Sequence, residues 1–187
     1  MNRTSDAEPI DAIATARPDR DDAERLGFGG GCHWCTEAVF QALRGVERVD
    51  SGFAAADAPD DAFSEAALVT FDPAAVPAAV LIEAHLLTHA SASDHALRGR
   101  YRSAVYVERA ARRAEVERIL AALAAGRDAP PVTRALVLRA FRPCEERYRD
   151  YCASDPSRPF CRTYVDPKLE ALRERFGREG RIRAPGA

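Results

Sequence analysis

The chain has 187 residues, of which 47% are hydrophobic and 30% charged, and its 27 basic and 29 acidic side chains give a net charge of −2. This length supports one ordinary hydrophobic core, so we expect a single domain. Acids and bases are intermixed, which argues against nucleic acid and against a membrane surface as partners. Because no segment has the apolar core of a secretory signal or the length of a membrane span, the sequence predicts a soluble, cytoplasmic protein.

The first elements follow a simple order. Residues 1–24 are rich in Asp, Pro, Ala and Arg without periodicity and are expected to form a disordered or loosely packed lead-in. Residues 25–31 predict a strand that runs into a glycine turn. Residues 33–46 carry apolar side chains at helical spacing, with Gly45 where a helix commonly stops. The local order is therefore strand, glycine turn, cysteine, helix.

The later elements complete an alternating pattern. They are predicted as strands at 46–55 and 66–73, a helix at 76–90, a strand at 100–108, a charged helix ending at Gly126, and one strand at 131–143. This order predicts an α+β fold, a two-layer sandwich of a mainly antiparallel sheet with helices on one face. Its core is a split β-α-β (ferredoxin-like) arrangement. We expect a single catalytic domain over 25–176, including an irregular cysteine-bearing C-terminal tail, and a flexible end at 177–187.

The chemistry centres on "GGGCHWCT", residues 29–36. A cysteine at the start of a helix meets unpaired backbone N–H groups and the positive end of the helix dipole, which favour a thiolate. Cys32 is thus a candidate nucleophile, the alternative being a buried structural cysteine. Cys35 makes the pair a C-x-x-C, which fits a redox dithiol, half of a zinc site, or a small residue facing the core.

Three more cysteines, Cys144, Cys152 and Cys161, lie in the tail. In a reducing compartment, cysteine clusters are more often catalytic or metal-binding than permanently paired, and an odd total argues against full pairing. The tail has no second C-x-x-C to complete a structural zinc site. We therefore expect neither a metal nor a cofactor.

"GGGCHWCTEAVFQALRGVERVDSGFA" resembles the signature region of the A-type peptide methionine sulfoxide reductases, whose pattern at the nucleophile is Gly-Cys-Phe-Trp. Further segments are similar to the family in order: "SEAALVTFDP", "LLTHA", "RYRSAVYV" (family Gln-Tyr-Arg-Ser) and "FCRTYVDPKLEALRERF". The resemblance covers about residues 26–176. It implies thiol-dependent reduction of methionine S-sulfoxide, protein-bound or free, or of a related small sulfoxide, to the thioether.

The resemblance also implies roles for individual residues. Cys32 matches the nucleophile that attacks the sulfoxide sulfur. Glu65 matches the carboxyl group that protonates the sulfoxide oxygen, and we expect an apolar surrounding to keep that carboxyl neutral. Tyr101 matches a tyrosine that hydrogen-bonds the same oxygen. Cys161 best matches a resolving cysteine, which converts the sulfenic acid on the nucleophile into a disulfide.

Substrate contacts and partners follow from the same resemblance. The side chains assigned to the substrate pocket are His33, Trp34, Phe53 and Phe63, with Trp34 as the aromatic wall that receives the methyl group. The cysteines left as possible resolving or relay residues are Cys35, Cys152 and Cys144. Thioredoxin or a similar dithiol is the expected reductant, the other partner is an oxidised protein or small sulfoxide, and the chain is expected to be a monomer.

The sequence departs from the family around the substrate pocket. His33 stands where the family has phenylalanine, and its ring could donate to the sulfoxide oxygen, stabilise the Cys32 thiolate, or point into solvent. The loop at 54–63 is shorter than the family's and lacks its second tyrosine, and Arg147 stands where histidine is common. These losses leave a second hypothesis open, a divergent family member that acts as a thiol redox sensor or a metal-binding protein.

Overall fold

The computed structural model describes residues 22–184. The strands are β1 (Glu24–Gly29), β2 (Val46–Ala55), β3 (Ser64–Phe71), β4 (Ala104–Val107), β5 (Arg134–Val137) and β6 (Ala140–Pro143). The helices are α1 (His33–Gln41), α2 (Ala78–Thr88), α3 (Arg113–Ala124), α4 (Tyr151–Ser154) and α5 (Asp166–Phe176). The predicted lead-in lies outside the described residues except for its last three, and Glu24 already belongs to β1.

One sheet joins all six of these strands in the order β5-β4-β1-β3-β2-β6. Neighbouring strands are antiparallel except for β4 and β5, which are parallel. The predicted α+β class with a mainly antiparallel sheet is confirmed.

The main hydrophobic core lies between one face of the sheet and the helices. Leu26 and Phe28 alternate with glycines along β1, so their side chains point to the same face. That face packs against apolar residues from α1, α2, α3 and α5, among them Phe40, Leu81 and Leu172. The helices therefore cover one face of the sheet, as predicted.

The prediction of a single strand at 131–143 is wrong. The segment forms two strands, β5 and β6, which lie at opposite edges of the sheet and are joined by only two residues. In that link, the N–H of Leu138 donates to Val107 O of β4, and the N–H of Arg139 donates to Ala55 O of β2. The sheet must therefore curl until its two edges almost meet.

Small side chains on the concave face permit this curvature. The concave core contains the alanines Ala54, Ala66 and Ala104, and its larger members include Tyr106 and Phe141. A sequence pattern records that such residues are apolar but does not record how far the sheet bends over them. The division of one apolar run between two edges is thus a property of the tertiary fold.

The tail wraps back over the start of α1. After β6 the chain forms α4, then one π-helical turn at Cys161–Val165 that continues directly into α5. Beyond α5, Ile182 forms an antiparallel bridge with Leu43, and the N–H of Arg183 donates to Ala42 O. The prediction of a flexible end from residue 177 did not anticipate these bonds.

Within residues 22–184, no helix combines the length and the apolar character that crossing a bilayer requires.

Candidate active site

The turn between β1 and α1 fixes the position of Cys32. Gly30 has a φ of +155°, and a Cβ there would lie 2.5 Å from the ring of His89, so only glycine fits. Cys32 is the N-cap of α1, and its carbonyl oxygen accepts hydrogen bonds from the N–H groups of Cys35 and Thr36. The thiol therefore stands at the positive end of the helix, as predicted.

The surroundings of Cys32 favour its thiolate. A hydrogen bond from the Cys35 thiol, opposed by burial and aided by the N–H of Trp34, lowers the pKa of Cys32 from 9.0 to about 6. The negative charge of Glu65 raises the pKa and the nearby His33 lowers it, both by smaller amounts. Cys32 is thus largely ionised at neutral pH, which is the state a nucleophile needs.

Cys35 carries the proton of this thiol pair. Its hydrogen bond to Cys32 and its burial raise its pKa far above the ordinary value of 9.0, and the charge of the Cys32 thiolate adds to the effect. The residue is buried on the core side of α1, beside the disulfide that joins Cys152 and Cys161. One proton shared between two adjacent sulfurs is the arrangement of a reactive dithiol.

Glu65 is buried, but its neighbours are basic rather than apolar. Its Oε1 accepts a hydrogen bond from Arg100 Nε at 2.8 Å, and its Oε2 accepts one from the backbone N–H of His33 at 3.2 Å. Burial raises the pKa of Glu65, yet the hydrogen bonds from His33 and Arg100 outweigh it, so the pKa lies below its ordinary value. The expectation that an apolar surrounding keeps this carboxyl neutral is therefore corrected.

His33 faces the interior, which rules out the possibility that it points into solvent. Only 8% of the residue is exposed, and its Nδ1 lies 3.1 Å from Glu65 Oε2. The ring meets Trp34 and Phe53 edge to face, with centroids 5.8 Å and 5.6 Å apart. Both ring nitrogens are buried, and neither makes a hydrogen bond of acceptable geometry to the described residues.

A cavity of about 310 Å³ opens beside the two thiols. Its walls include Cys32, Cys35, Tyr101, Tyr164 and Lys168. Tyr101 therefore borders both the nucleophile and free volume, and the Arg100 guanidinium lies 5.1 Å from the centre of its ring. The cavity is large enough to receive a sulfoxide side chain next to Cys32.

Trp34 is covered by the tail. Its indole stacks on Tyr151 at 4.1 Å between ring centroids and 8° between planes, and Phe160 meets it edge to face at 5.6 Å. Arg158 lies on Tyr151 at 4.4 Å from the ring centre. Trp34 therefore packs against the cysteine-bearing segment and does not line the cavity beside Cys32, and its role as the aromatic wall for the methyl group stays a prediction.

The other two predicted pocket residues are Phe53 of β2 and Phe63, which immediately precedes β3. Phe53 of β2 is paired in register with Glu65 of β3 on one side and with Arg142 of β6 on the other. Phe63 is exposed, and Arg142 lies 4.1 Å above its ring. Phe53 therefore touches the His33 ring, whereas Phe63 packs against Arg142 at the surface, and neither lines the cavity beside Cys32.

The three tail cysteines are not equivalent. Cys152 and Cys161 form a disulfide, while Cys144 is a buried free thiol whose pKa is raised by burial and by the nearby Glu37. Of these, only the disulfide belongs to the same apolar cluster as Cys35. In residues 22–184, no group of three or more His, Cys, Asp or Glu side chains is arranged to hold a metal ion.

Two features of the site were missed from the sequence. Arg100 pairs with Glu65, and its signal was present because "RYRS" has arginine where the family has glutamine. His85 and His89, whose rings stack at 4.0 Å, border the cavity from α2 and its C-cap. Nothing in the local pattern of an apolar helix marks such a pair as adjacent to the nucleophile.

Comparison with known proteins decides the family. A model of the peptide methionine sulfoxide reductase family matches residues 24–180. The chain belongs to this family. The peptide methionine sulfoxide reductase MsrA of Chromobacterium violaceum is 32% identical over 82% of this chain and 96% of its own length. The Thermus thermophilus enzyme of the same name is 33% identical over 80% of this chain and 93% of its own.

Solved structures show the same fold. The reduced form of Mxr1 from Saccharomyces cerevisiae superposes with a TM-score of 0.66, at 18% identity, covering 81% of this chain and 96% of Mxr1. A structure of Mxr1 in complex with Trx2 gives a TM-score of 0.56, at 17% identity, covering 71% of this chain and 88% of that one. The chain is an MsrA-type peptide methionine sulfoxide reductase, an oxidoreductase that reduces methionine S-sulfoxide.

Proposed function

We propose that Cys32 carries out the reduction by attacking the sulfoxide sulfur. The substrate's sulfur–oxygen bond breaks, the thioether leaves, and Cys32 keeps the oxygen, which takes up one proton from solvent to give a sulfenic acid. The observation that carries this proposal is the thiolate at the head of α1, hydrogen-bonded by Cys35 and bordering a cavity of about 310 Å³. Tyr101, on the wall of the same cavity, can donate its hydroxyl proton to a hydrogen bond with the sulfoxide oxygen.

Cys35 then resolves the sulfenic acid. Its sulfur attacks the sulfur of Cys32 and displaces the hydroxyl group, which takes the proton of the Cys35 thiol and leaves as water. A Cys32–Cys35 disulfide forms. The charge of the thiolate is one cause of the raised pKa of Cys35, so converting Cys32 to a neutral sulfenic acid removes that cause. Cys161, the resolving residue expected from the resemblance, is bonded to Cys152 in this structure and holds no free thiol.

We assign the tail cysteines to a relay. When Cys152 and Cys161 are reduced, one of their thiolates attacks the Cys32–Cys35 disulfide. Exchange then restores both thiols of α1 and leaves Cys152 and Cys161 joined. The structure matches the product of that exchange, since Cys32 and Cys35 are free thiols and the tail pair is oxidised.

The reductant in this proposal is thioredoxin or a similar dithiol, which reduces the tail disulfide. A cavity of about 240 Å³ reaches Cys152 and Cys161 from the side of α5 and gives this otherwise buried bond a route to the surface. The Mxr1–Trx2 complex supports a thioredoxin as partner within this fold. The substrate is free or protein-bound methionine S-sulfoxide, and the chain acts as a monomer.

A coupled assay tests the proposal. Both epimers of methionine sulfoxide are offered to the wild type, Cys32→Ser and Cys35→Ser, with thioredoxin, thioredoxin reductase and NADPH. We expect turnover of the S epimer by the wild type and none by Cys32→Ser. Cys35→Ser should release one equivalent of thioether and then stop. An intact Cys32 thiol that turns over neither epimer would reject the reductase mechanism for this substrate.

A double variant tests the relay separately. Cys152→Ser combined with Cys161→Ser leaves the Cys32–Cys35 pair untouched, so one equivalent of product should form at the wild-type rate. Turnover supported by thioredoxin should fall, whereas turnover supported by dithiothreitol, a small reductant that reaches Cys32–Cys35 directly, should persist. Thioredoxin-supported turnover equal to that of the wild type would show that the tail disulfide has no part in the cycle.

A further inference from the structure

We propose that Lys168 is a positioning residue for the resolving step, because it places a positive charge beside the Cys35 sulfur when that sulfur must give up its proton. The inference rests on the proposed function, since it concerns how Cys35 attacks once Cys32 has been oxidised. Lys168 is the single lysine of the chain, and none of the steps above uses it.

The fold brings the Lys168 ammonium to the cavity beside the two thiols. Lys168 lies in the first turn of α5, where the positive end of the helix dipole makes a cation unfavourable. Its side chain instead extends to the end of α2, where the ammonium donates a hydrogen bond to Thr88 O. Cys35, Thr88 and Lys168 all line the cavity of about 310 Å³. The ammonium is therefore held at a wall that also carries the Cys35 thiol.

Core packing fixes the backbone on either side of Lys168. Leu169, the next residue, packs against the apolar cluster that contains Cys35 and the Cys152–Cys161 disulfide. Val165, at the end of the π-helical turn, is almost fully buried in the same cluster. The separation between the lysine and Cys35 is thus set by the packing of α5 on α1 and not by a loop.

Lys168 supplies the only positive charge among the described side chains that line this cavity. Burial lowers the pKa of His85, and lowers that of His89 to about 4, so both imidazoles are neutral at physiological pH. The Lys168 charge contributes to both shifts, which indicates that its field reaches across the cavity. The other titratable groups around Cys35 are phenols or acids: Tyr101 and Tyr164 on the cavity wall, Cys32 on α1 and Glu65 on β3.

Lys168 opposes every other influence on the Cys35 thiol. The hydrogen bond to Cys32, burial, and the charges of Cys32 and Glu65 raise the pKa of Cys35, whereas the Lys168 ammonium lowers it. Conversion of Cys32 to a neutral sulfenic acid removes the thiolate that accepts the hydrogen bond and carries the charge. Burial and Glu65 then remain, and the Lys168 ammonium is the group that stabilises negative charge on Cys35 against them.

The assisted step balances in atoms and electrons. The Cys35 sulfur attacks the sulfur of Cys32, and the sulfur–oxygen bond of the sulfenic acid breaks. The hydroxyl group leaves as water with the proton of the Cys35 thiol. In the disulfide that forms, the Cys35 sulfur has been oxidised and the Cys32 sulfur reduced. Lys168 keeps its proton and acts through its charge, which stabilises the negative charge that develops on Cys35.

A titration of Cys35 without the Cys32 thiol tests the assignment. In Cys32→Ser, iodoacetamide alkylation of Cys35 is followed against pH, with the Cys35 peptide quantified by mass spectrometry. Adding Lys168→Gln, which keeps an N–H donor for Thr88 O but no charge, should raise the midpoint by about one pH unit, the smaller end of the effect of a nearby opposite charge. The alkylation rate at pH 8 should fall about threefold, because greater nucleophilicity of the more basic thiolate offsets part of the tenfold lost ionisation.

Two further variants control for this titration. Lys168→Arg keeps a positive charge, so its midpoint and its rate at pH 8 should stay near those of Cys32→Ser alone. Arg173→Met removes a positive charge from a half-exposed position on the same helix, where the arginine pairs with Glu170, and it should have no effect. The comparison separates a local charge from the net charge of the protein.

Single-turnover kinetics connect the charge with catalysis. The chain is used with Cys152 and Cys161 joined, as in the structure, and without a reductant, so that neither tail cysteine can resolve. After mixing with N-acetyl methionine S-sulfoxide, thioether release is measured, and the Cys32 sulfenic acid is trapped with dimedone at intervals. At pH 8, Lys168→Gln should prolong the life of the sulfenic acid about threefold and slow thioether release less. Lys168→Arg should restore the wild-type lifetime.

The possible outcomes distinguish the two proposals. If the wild type releases no thioether, the proposed function fails, and this inference fails with it. If thioether is released but Cys35 alkylation is unchanged in both Lys168→Gln and a second neutral variant, Lys168→Met, only the inference is overturned. Equal slowing of thioether release and disulfide formation would also overturn it, because Lys168 would then act on the substrate. An equal loss in Lys168→Arg would do the same, because packing rather than charge would be responsible.

Discussion

Replacing Cys35 with alanine should raise the pKa of the Cys32 thiol. The change removes the S–H donor, which is the largest cause of the lowered pKa of Cys32, and puts the best helix former in its place. A hydrogen bond to a charged group contributes about 1.5–3 kcal/mol, and about 1.4 kcal/mol corresponds to one pH unit. The midpoint of Cys32 ionisation should therefore rise from about 6 by about one to two pH units.

The measurement is the rate of iodoacetamide alkylation of Cys32 across a range from acid to mildly alkaline pH. The Cys32 peptide is quantified by mass spectrometry so that Cys144 does not contribute. The midpoint must be used because a more basic thiolate is also a better nucleophile, which offsets much of the lost ionisation at any single pH. Cys35→Ser, which keeps a donor, should move the midpoint less.

The contribution of the helix terminus is the competing explanation. The N–H of Trp34 and the nearby His33 also lower the pKa of Cys32. If the midpoint of Cys35→Ala stays near 6, these groups alone stabilise the thiolate. The view that Cys35 acts as a hydrogen-bond donor before it acts as a resolving thiol would then be refuted.

Three further predictions concern stability and are checked by urea unfolding. Gly52→Ala should lower the free energy of unfolding by about 1–3 kcal/mol, because a Cβ there would lie 2.3 Å from a carbonyl oxygen of β6. Gly99→Ala is the control and should leave stability unchanged, because a Cβ at Gly99 would meet no atom within 4 Å. Reducing the Cys152–Cys161 bond, which spans 9 residues, should cost about 2–3 kcal/mol, and no change would indicate that the reduced loop stays ordered. Burial lowers the pKa of His89 to about 4, so the unfolded chain takes up its proton first, and stability should fall by up to ~3 kcal/mol between about pH 6.5 and pH 4. His89→Gln should flatten that dependence; an unchanged slope would assign it to other groups.

The parts of the fold that depend on local pattern could be predicted from the sequence. A strand, a glycine turn and a helix in succession place Cys32 at a helix N-terminus, and the structure has this arrangement. The division of 131–143 between two edges could not be predicted, because it depends on how far the sheet curls over small residues on its concave face. Periodicity reports which face a residue occupies, whereas curvature arises from contacts across the whole sheet.

The candidate site, too, could be predicted from the sequence only in part. The position of Glu65 followed from the resemblance, but its ionisation state did not. His33 and Arg100 are 32 and 35 residues away in sequence, and their bonds to Glu65 exist only in the folded chain. Similarly, the sequence left the pairing of five cysteines open, whereas folding brings α4 next to the π-helical turn and joins Cys152 to Cys161.

The stack on Trp34 has an optical consequence. Trp34 is the single tryptophan of the chain, and its indole lies flat on Tyr151, the residue next to Cys152, and against Phe160, the residue next to Cys161. Movement of either cysteine during thiol exchange must change the packing around this one fluorophore. The intrinsic emission of the protein should therefore follow its redox state in real time, without a label.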